Sequence, residues 1–149
     1  KKVNLKKKST LVKLTGLSSA YHKEAENVNL TEKIKLNDTL YIIYNTSRND
    51  ENNNVKIGIV KTNNGFTAIL YEGLTSNIFS TMLCNNDLYK HVIEFEKSAR
   101  KTNSPKAETT DNKEVYTIEL NKALNTFIIP GNWQGLDKLR AILFAIQKQ

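Results

Sequence analysis

A single cysteine, Cys84, excludes an intramolecular disulfide and suits a reducing, intracellular compartment. No apolar run approaches the roughly 18 residues of a membrane span. The first 20 residues lack the apolar core of a secretory signal. Two prolines and six scattered glycines leave no low-complexity linker and no phosphate-cradling glycine cluster. Only two histidines are present, His22 and His91, and with Cys84 they fall at no zinc-binding spacing. Three N-x-S/T sequons, at Asn29, Asn37 and Asn45, carry no information. A chain with 19 Asn and 22 Ser plus Thr holds about that many by chance.

Acidic residues are missing from the first 23 positions. Lys1, Lys2, Lys6, Lys7, Lys8, Lys13 and Lys23 all precede the first acid, Glu24. Beyond them, fifteen Lys plus Arg balance fifteen Asp plus Glu, so the net charge of +7 resides at the N-terminus. A basic arm at residues 1–9 can touch nucleic acid or an acidic partner, or direct the protein to the nucleus, and it can equally be a solvated end. A wholly basic face, the footprint of a duplex-binding domain, is not indicated. The chain opens on Lys, which suits a piece of a longer protein.

What is present reads as one domain over residues 10–149, long enough to bury roughly 70% of its unfolded surface. Thr10 to Leu17 reads as a strand, and Ile34 to Leu36 as the start of another, with a turn at Asn37-Asp38. Leu40 to Tyr44 is apolar on both faces and rich in β-formers, which predicts a central strand. Val55, Ile57 and Ile59 alternate with Lys56 and Gly58. Asn64-Gly65 then signals a type I′ hairpin returning through Phe66 to Tyr71. Thr75-Ser76 could cap a short helix with Leu74, Ile78, Phe79, Met82 and Leu83 on one face. Val92 to Glu96 reads as a strand, and residues 97–114 as a polar loop. Tyr116, Ile118 and Leu120 mark another strand, and Thr126 to Ile129 a last one. Leu136, Leu139, Ile142, Leu143 and Ile146, widened by Phe144, form a closing amphipathic helix. The expected fold class is mainly β (a β-rich α+β domain): a small barrel or curled antiparallel sheet of about six to seven strands, with a short helix and a C-terminal amphipathic helix.

Catalytic or cofactor motifs are absent, and no metal or cofactor is expected. Cys84 reads as an apolar structural thiol more readily than as a nucleophile. Glu94 and Glu96 would share a strand face, where a solvated pair outweighs acid–base chemistry. The chain thus reads as a binding module and not an enzyme. Aromatic and basic residues interleave at Tyr21-His22-Lys23, at Arg48-Asn49, at Lys61 and at Tyr71. Ring stacking with backbone neutralisation is how sequence-tolerant single-strand binding works. The same residue types also commonly occupy the outer faces of small β domains. Leu139, Leu143 and Phe144 offer either a partner-binding stripe or a face that docks on the domain itself.

Three stretches carry a family resemblance. Val12-Lys13-Leu14-Thr15-Gly16-Leu17 is an opening strand ending in Gly-hydrophobic. Arg48 to Ile57 is a polar Arg-Asn loop running into a strand at Asn54-Val55-Lys56-Ile57. Phe66 to Leu83 is a strand followed by a segment with Leu74, Ile78 and Leu83. In this order they resemble the HIRAN domain, a small β-barrel of fork-remodelling translocases that engages single-stranded DNA ends. The resemblance covers a little over half the chain. It departs at Glu51-Asn52-Asn53, where the family carries Tyr-Asp, and at Ser18-Ser19-Ala20, where it carries an aromatic pair. It implies a DNA-binding module of a nuclear DNA-repair or replication protein. The alternative is a protein-interaction or structural domain with no affinity for nucleic acid.

Overall fold

The computed structural model describes residues 28–46, 54–104, 113–131 and 133–144. Six strands form one antiparallel sheet: β1 (Thr39–Thr46), β2 (Val55–Thr62), β3 (Gly65–Tyr71), β4 (Ile78–Cys84), β5 (Lys113–Leu120) and β6 (Ala123–Pro130). Their order across the sheet is β4-β3-β2-β1-β5-β6, so the sheet is open and not closed into a barrel. Two α-helices occur among the described residues, α1 (Asn86–Thr102) and α2 (Gly135–Leu143).

β1 is central, as its two-sided apolar sequence requires. It pairs with β2 from Thr39↔Val60 to Tyr44↔Val55, and with β5 from Leu40↔Leu120 to Thr46↔Glu114. Leu40, Ile42, Ile57, Ile59, Ala68, Ile118 and Ile129 have no exposed surface. These alternate residues share the face on which the helices pack. Phe66 stacks flat on Tyr89 of α1, with ring centroids 3.8 Å apart. Phe95 meets Tyr116 and Trp133. Among the described residues neither helix lies on the opposite face, which carries Tyr41, Ile43, Val60, Ile69 and Tyr71, all half-buried.

Several local expectations are corrected. The segment expected to be a helix at Thr75 to Leu83 is instead β4, paired with β3 from Phe66↔Cys84 to Tyr71↔Ile78 with a bulge between Leu70 and Tyr71. The apolar spacing there fits a helix, but β-branched Ile78 and Thr81 fit a pleated ladder, and the free edge of β3 supplies one. The reverse holds for Val92 to Glu96. The strand expected there, and the first six residues of the expected loop at 97–114, belong to α1. Asn85 starts this helix by accepting the Leu88 N–H at 2.8 Å, and Tyr89, Val92, Phe95, Glu96 and Ala99 form its buried stripe. At its other end the expected loop gives way to β5 at Lys113. Ile34 is buried but lies in no strand, while Asn37, at φ 70°, makes the expected turn. The β2–β3 hairpin closes at Thr62↔Gly65, so Asn63-Asn64 are its loop residues. Positive φ falls on Gly65 alone in that turn, at 146°, and not on two central residues as a type I′ turn demands. The strand at Thr10 to Leu17 lies outside the described residues.

Leu139, Leu143 and Phe144 are 3%, 2% and 6% exposed, buried in the main core. In this structure they dock the closing helix on the domain and present no stripe to a partner. Trp133 anchors the start of that helix. A Cβ placed on Gly135 would overlap the Trp133 ring. Gly→Ala inside a helix ordinarily stabilises by about 1 kcal/mol. Here the sign reverses: Gly135→Ala should destabilise by about 1–3 kcal/mol, because the ring is held by Phe95 and Tyr116. Urea denaturation of the two proteins checks this.

Candidate functional site

Among the described residues, the face of the sheet opposite the helices, its open face, carries a compact aromatic–basic group. In the pairing register, Tyr41 lies opposite Gly58 on β2, with Lys56 two residues along that strand. Residues two apart on a strand share a face, so Lys56 and Gly58 point the same way. Tyr71 enters from β3. The Lys56 Nζ sits 5.0 Å from the Tyr41 ring centroid and 4.7 Å from that of Tyr71. The two rings are 6.3 Å apart and tilted by 45°. Gly58 makes the close approach possible, since a Cβ there would meet Tyr71 Cε2 at 3.1 Å, its Oη at 3.2 Å and Tyr41 Cε1 at 3.4 Å. Burial pushes the Tyr71 hydroxyl above its ordinary pKa, and the neighbouring Tyr41 adds to the rise. The Tyr71 phenol therefore stays neutral at physiological pH, and Lys56 supplies the formal charge of the group.

A cavity of about 840 Å³ lies at one end of the sheet, beside the start of α2. Tyr44, Tyr71, Tyr116 and Phe79 contribute rings to it, and Glu72, Glu114 and Asp137 outnumber Arg140. The Tyr116 hydroxyl donates to Glu114 Oε1 at 2.6 Å, and Arg140 lies 4.0 Å from Asp137. Burial and the Glu114 bond both raise the Tyr116 pKa. This acidic surround repels phosphate, so an anionic polymer is better served by the open face.

Of the expected nucleic-acid residues, Lys61 and Tyr71 are described, and these two lie on opposite faces of the sheet. Tyr71 belongs to the aromatic–basic group. Lys61 lies on the other face of β2, paired with buried Phe66, because it is five positions on from Lys56, an odd offset. Tyr21, His22, Lys23, Arg48 and Asn49 lie outside the described residues. Tyr41 and Lys56 escaped sequence reasoning because each sits in an apolar-patterned strand. The available signal was Gly58, a glycine in mid-strand, which often marks a close approach.

Among the described residues no cluster of His, Cys, Asp and Glu could hold a metal ion. Cys84 is 2% exposed, and desolvation pushes its thiol pKa up to about 11. At pH 8 only about a thousandth of it is thiolate, the reactive form. A soluble disulfide reagent should leave the folded chain unmodified at pH 8 and label it promptly in denaturant. Rapid labelling of the native protein would contradict this burial. Glu96 is not the solvated partner of Glu94. On the helix the two residues diverge, Glu94 outward and Glu96 to 0% exposure.

No protein-family model, curated protein or solved structure matches the chain. The HIRAN resemblance therefore rests on the three sequence stretches alone.

Proposed function

We propose that this chain is a non-catalytic binding module that holds single-stranded nucleic acid on the open face of its sheet, around Tyr41, Lys56 and Tyr71. The observation that carries the proposal is the lysine set between two tyrosine rings on a face that no described helix occupies. Rings on a sheet stack on unpaired bases, and a cation beside them neutralises the adjoining phosphate. The Lys-rich arm would add further phosphate contacts and make binding depend on salt. The HIRAN resemblance supplies the setting, a nuclear DNA-repair or replication protein, and the ligand, a single-stranded end. Cys84 and Glu96, two groups with catalytic potential, are both buried and so are poorly placed for solvent-borne substrates.

Fluorescence anisotropy with labelled oligonucleotides tests the proposal. Single strands should bind in preference to duplex, and affinity should fall as salt rises. Tyr71→Ala should weaken single-strand binding by about tenfold, the worth of one stacked base. Removing residues 1–9 should flatten the salt dependence while keeping the preference for single strands. Equal affinity for both forms, or binding indifferent to Tyr71→Ala, would overturn the proposal. Blocking the 3′ end asks whether the HIRAN-like preference for ends is kept.

A further inference from the structure

The two edges of the sheet are treated in opposite ways. On the β6 edge, the Ile128 N–H donates to Asn103 Oδ1 at 2.8 Å, and the Ile128 carbonyl accepts the Ser104 N–H at 2.7 Å. The strand then ends in Pro130, which has no N–H to offer. These are the devices by which sheets blunt an edge. On the β4 edge the described residues supply neither such cover nor a proline, and the bulge at Phe79 lies at the start of the strand. Ile78–Cys84 contains no charge, proline or glycine. Ile78, Phe79 and Leu83 are 57%, 68% and 82% exposed, and Leu74 just before the strand is 42% exposed.

The orientation of the backbone follows from printed bonds and strict alternation. Lys61 bonds through both its N–H and its C=O toward the β1 side, to Asp38 and Asn37. Alternate residues of an antiparallel strand turn to alternate sides. Val60 and Thr62 thus face β3. Their partners Thr67 and Gly65 face β2, and Phe66, Ala68 and Leu70 face β4. Cys84, Met82 and Ser80 meet them, leaving Thr81 and Leu83 with N–H and C=O directed outward.

We propose that this edge is a homodimer interface, in which β4 pairs antiparallel with β4 of a second copy. The strand is self-complementary. About a two-fold axis at Thr81, the outward N–H and C=O of Thr81 bond those of its mate, and the Ile78-Phe79 end of each strand lies against the Leu83 end of the other. With no charge on β4, the pairing brings no like charges together. Two-fold closure is the commonest symmetry of soluble oligomers, and it buries the same patch on both copies. The product joins the six described strands of each copy into one continuous sheet. A single pair of seven-residue strands falls in the small class of interfaces, under about 1,200 Å² in total, so the dimer should be concentration-dependent with a Kd in the micromolar range. The inference stands on the β4 edge and is independent of nucleic-acid binding.

Sedimentation equilibrium of the whole chain from low to high micromolar concentration tests it. The mass should rise from 16.9 kDa toward twice that value. Leu83→Lys places a charge on an exposed site and should hold the protein monomeric with an unchanged melting temperature. Thr81→Pro, which removes an outward N–H, should do the same. A wild-type chain that stays monomeric throughout overturns the proposal, and so does a dimer that survives Leu83→Lys.

Discussion

Glu96→Gln should lower the stability of the domain by about 4 kcal/mol, the largest effect expected of any conservative change in the chain. Both carboxylate oxygens are engaged. Oε1 accepts the Thr31 N–H at 2.9 Å and the Thr31 hydroxyl at 2.8 Å. Oε2 accepts the Leu30 N–H at 3.1 Å and the Asn125 amide at 2.6 Å. Four donors thus converge on one anion with no exposed surface. Hydrogen bonds to a charged group each contribute about 1.5–3 kcal/mol net, and an amide in place of the carboxylate sets its own NH2 against two of those donors. Each buried donor left unsatisfied costs about 1–3 kcal/mol, and two of them set the scale of the loss.

The same network ties the segment before β1 to the body. Asn125 also donates to the Val28 carbonyl at 2.7 Å, and Arg100 reaches the Val28 carbonyl and Asn29 Oδ1. The Tyr89 hydroxyl donates to the Thr31 carbonyl at 2.6 Å. Glu96 is therefore the centre of a latch that fixes the 3-10 turn Leu30–Glu32 against α1 and β6. A fall in melting temperature of roughly 10 °C is expected for Glu96→Gln. Asn125→Ala, which removes one donor of the four, should cost about a third as much. Calorimetry measures both. Should Glu96→Gln prove too unstable to purify, hydrogen exchange in Asn125→Ala gives the same test, with the Leu30 and Thr31 amides expected to lose protection first. An effect under 1 kcal/mol for Glu96→Gln would mean that the carboxylate is not the centre of the latch.

The strands legible in the sequence were those with a strong two-residue period between clear turn signals. Val55 to Tyr71 is such a stretch, and Leu40 to Tyr44 is another, with Leu40 and Ile42 buried on the core face and Tyr41 and Ile43 half-buried on the other. β4 and α1 exchanged identities for one reason: a short window cannot separate a helix from a strand when apolar residues fall at both spacings. Ile78, Phe79, Met82 and Leu83 satisfy a helical stripe, yet two of the four are more than two-thirds exposed in the fold. Val92 to Glu96 alternates over five residues, yet the helical period runs unbroken from Tyr89 to Ala99. The longer pattern won in the fold. Glu96 was illegible for a deeper reason. Its role depends on donors 65 and 29 residues away in sequence, at Thr31 and Asn125, and no local pattern announces them. Both strands of the β5–β6 hairpin were legible in part, at Tyr116 to Leu120 and Thr126 to Ile129, but its turn was not, because Asn121 at φ 56° has no glycine after it.

Gly58→Val should abolish most of the single-strand affinity while leaving the domain folded, and it separates binding from stability more cleanly than removal of either ring. Valine is a better strand residue than glycine, which costs about 0.5–1 kcal/mol in a strand interior. At this position the gain is offset by contact. The first atom added already lies 3.1–3.4 Å from both tyrosine rings, and the two γ-methyls must occupy the space the rings now fill. The site is at the surface, so the rings can swing into solvent and the strand ladder of β1, β2 and β3 can persist. The melting temperature should therefore move by only a few degrees. Lys56, no longer held 4.7–5.0 Å from two ring centroids, should lose its fixed position. Two stacked bases at about 1–3 kcal/mol each set the scale, so affinity should fall by at least thirtyfold. Binding should drop further in Gly58→Val than in Tyr71→Ala, because both rings are displaced at once. If Gly58→Val instead binds single strands as tightly as the wild type, the open face is not where the strand lies, and any residual salt-dependent affinity belongs to the Lys-rich arm.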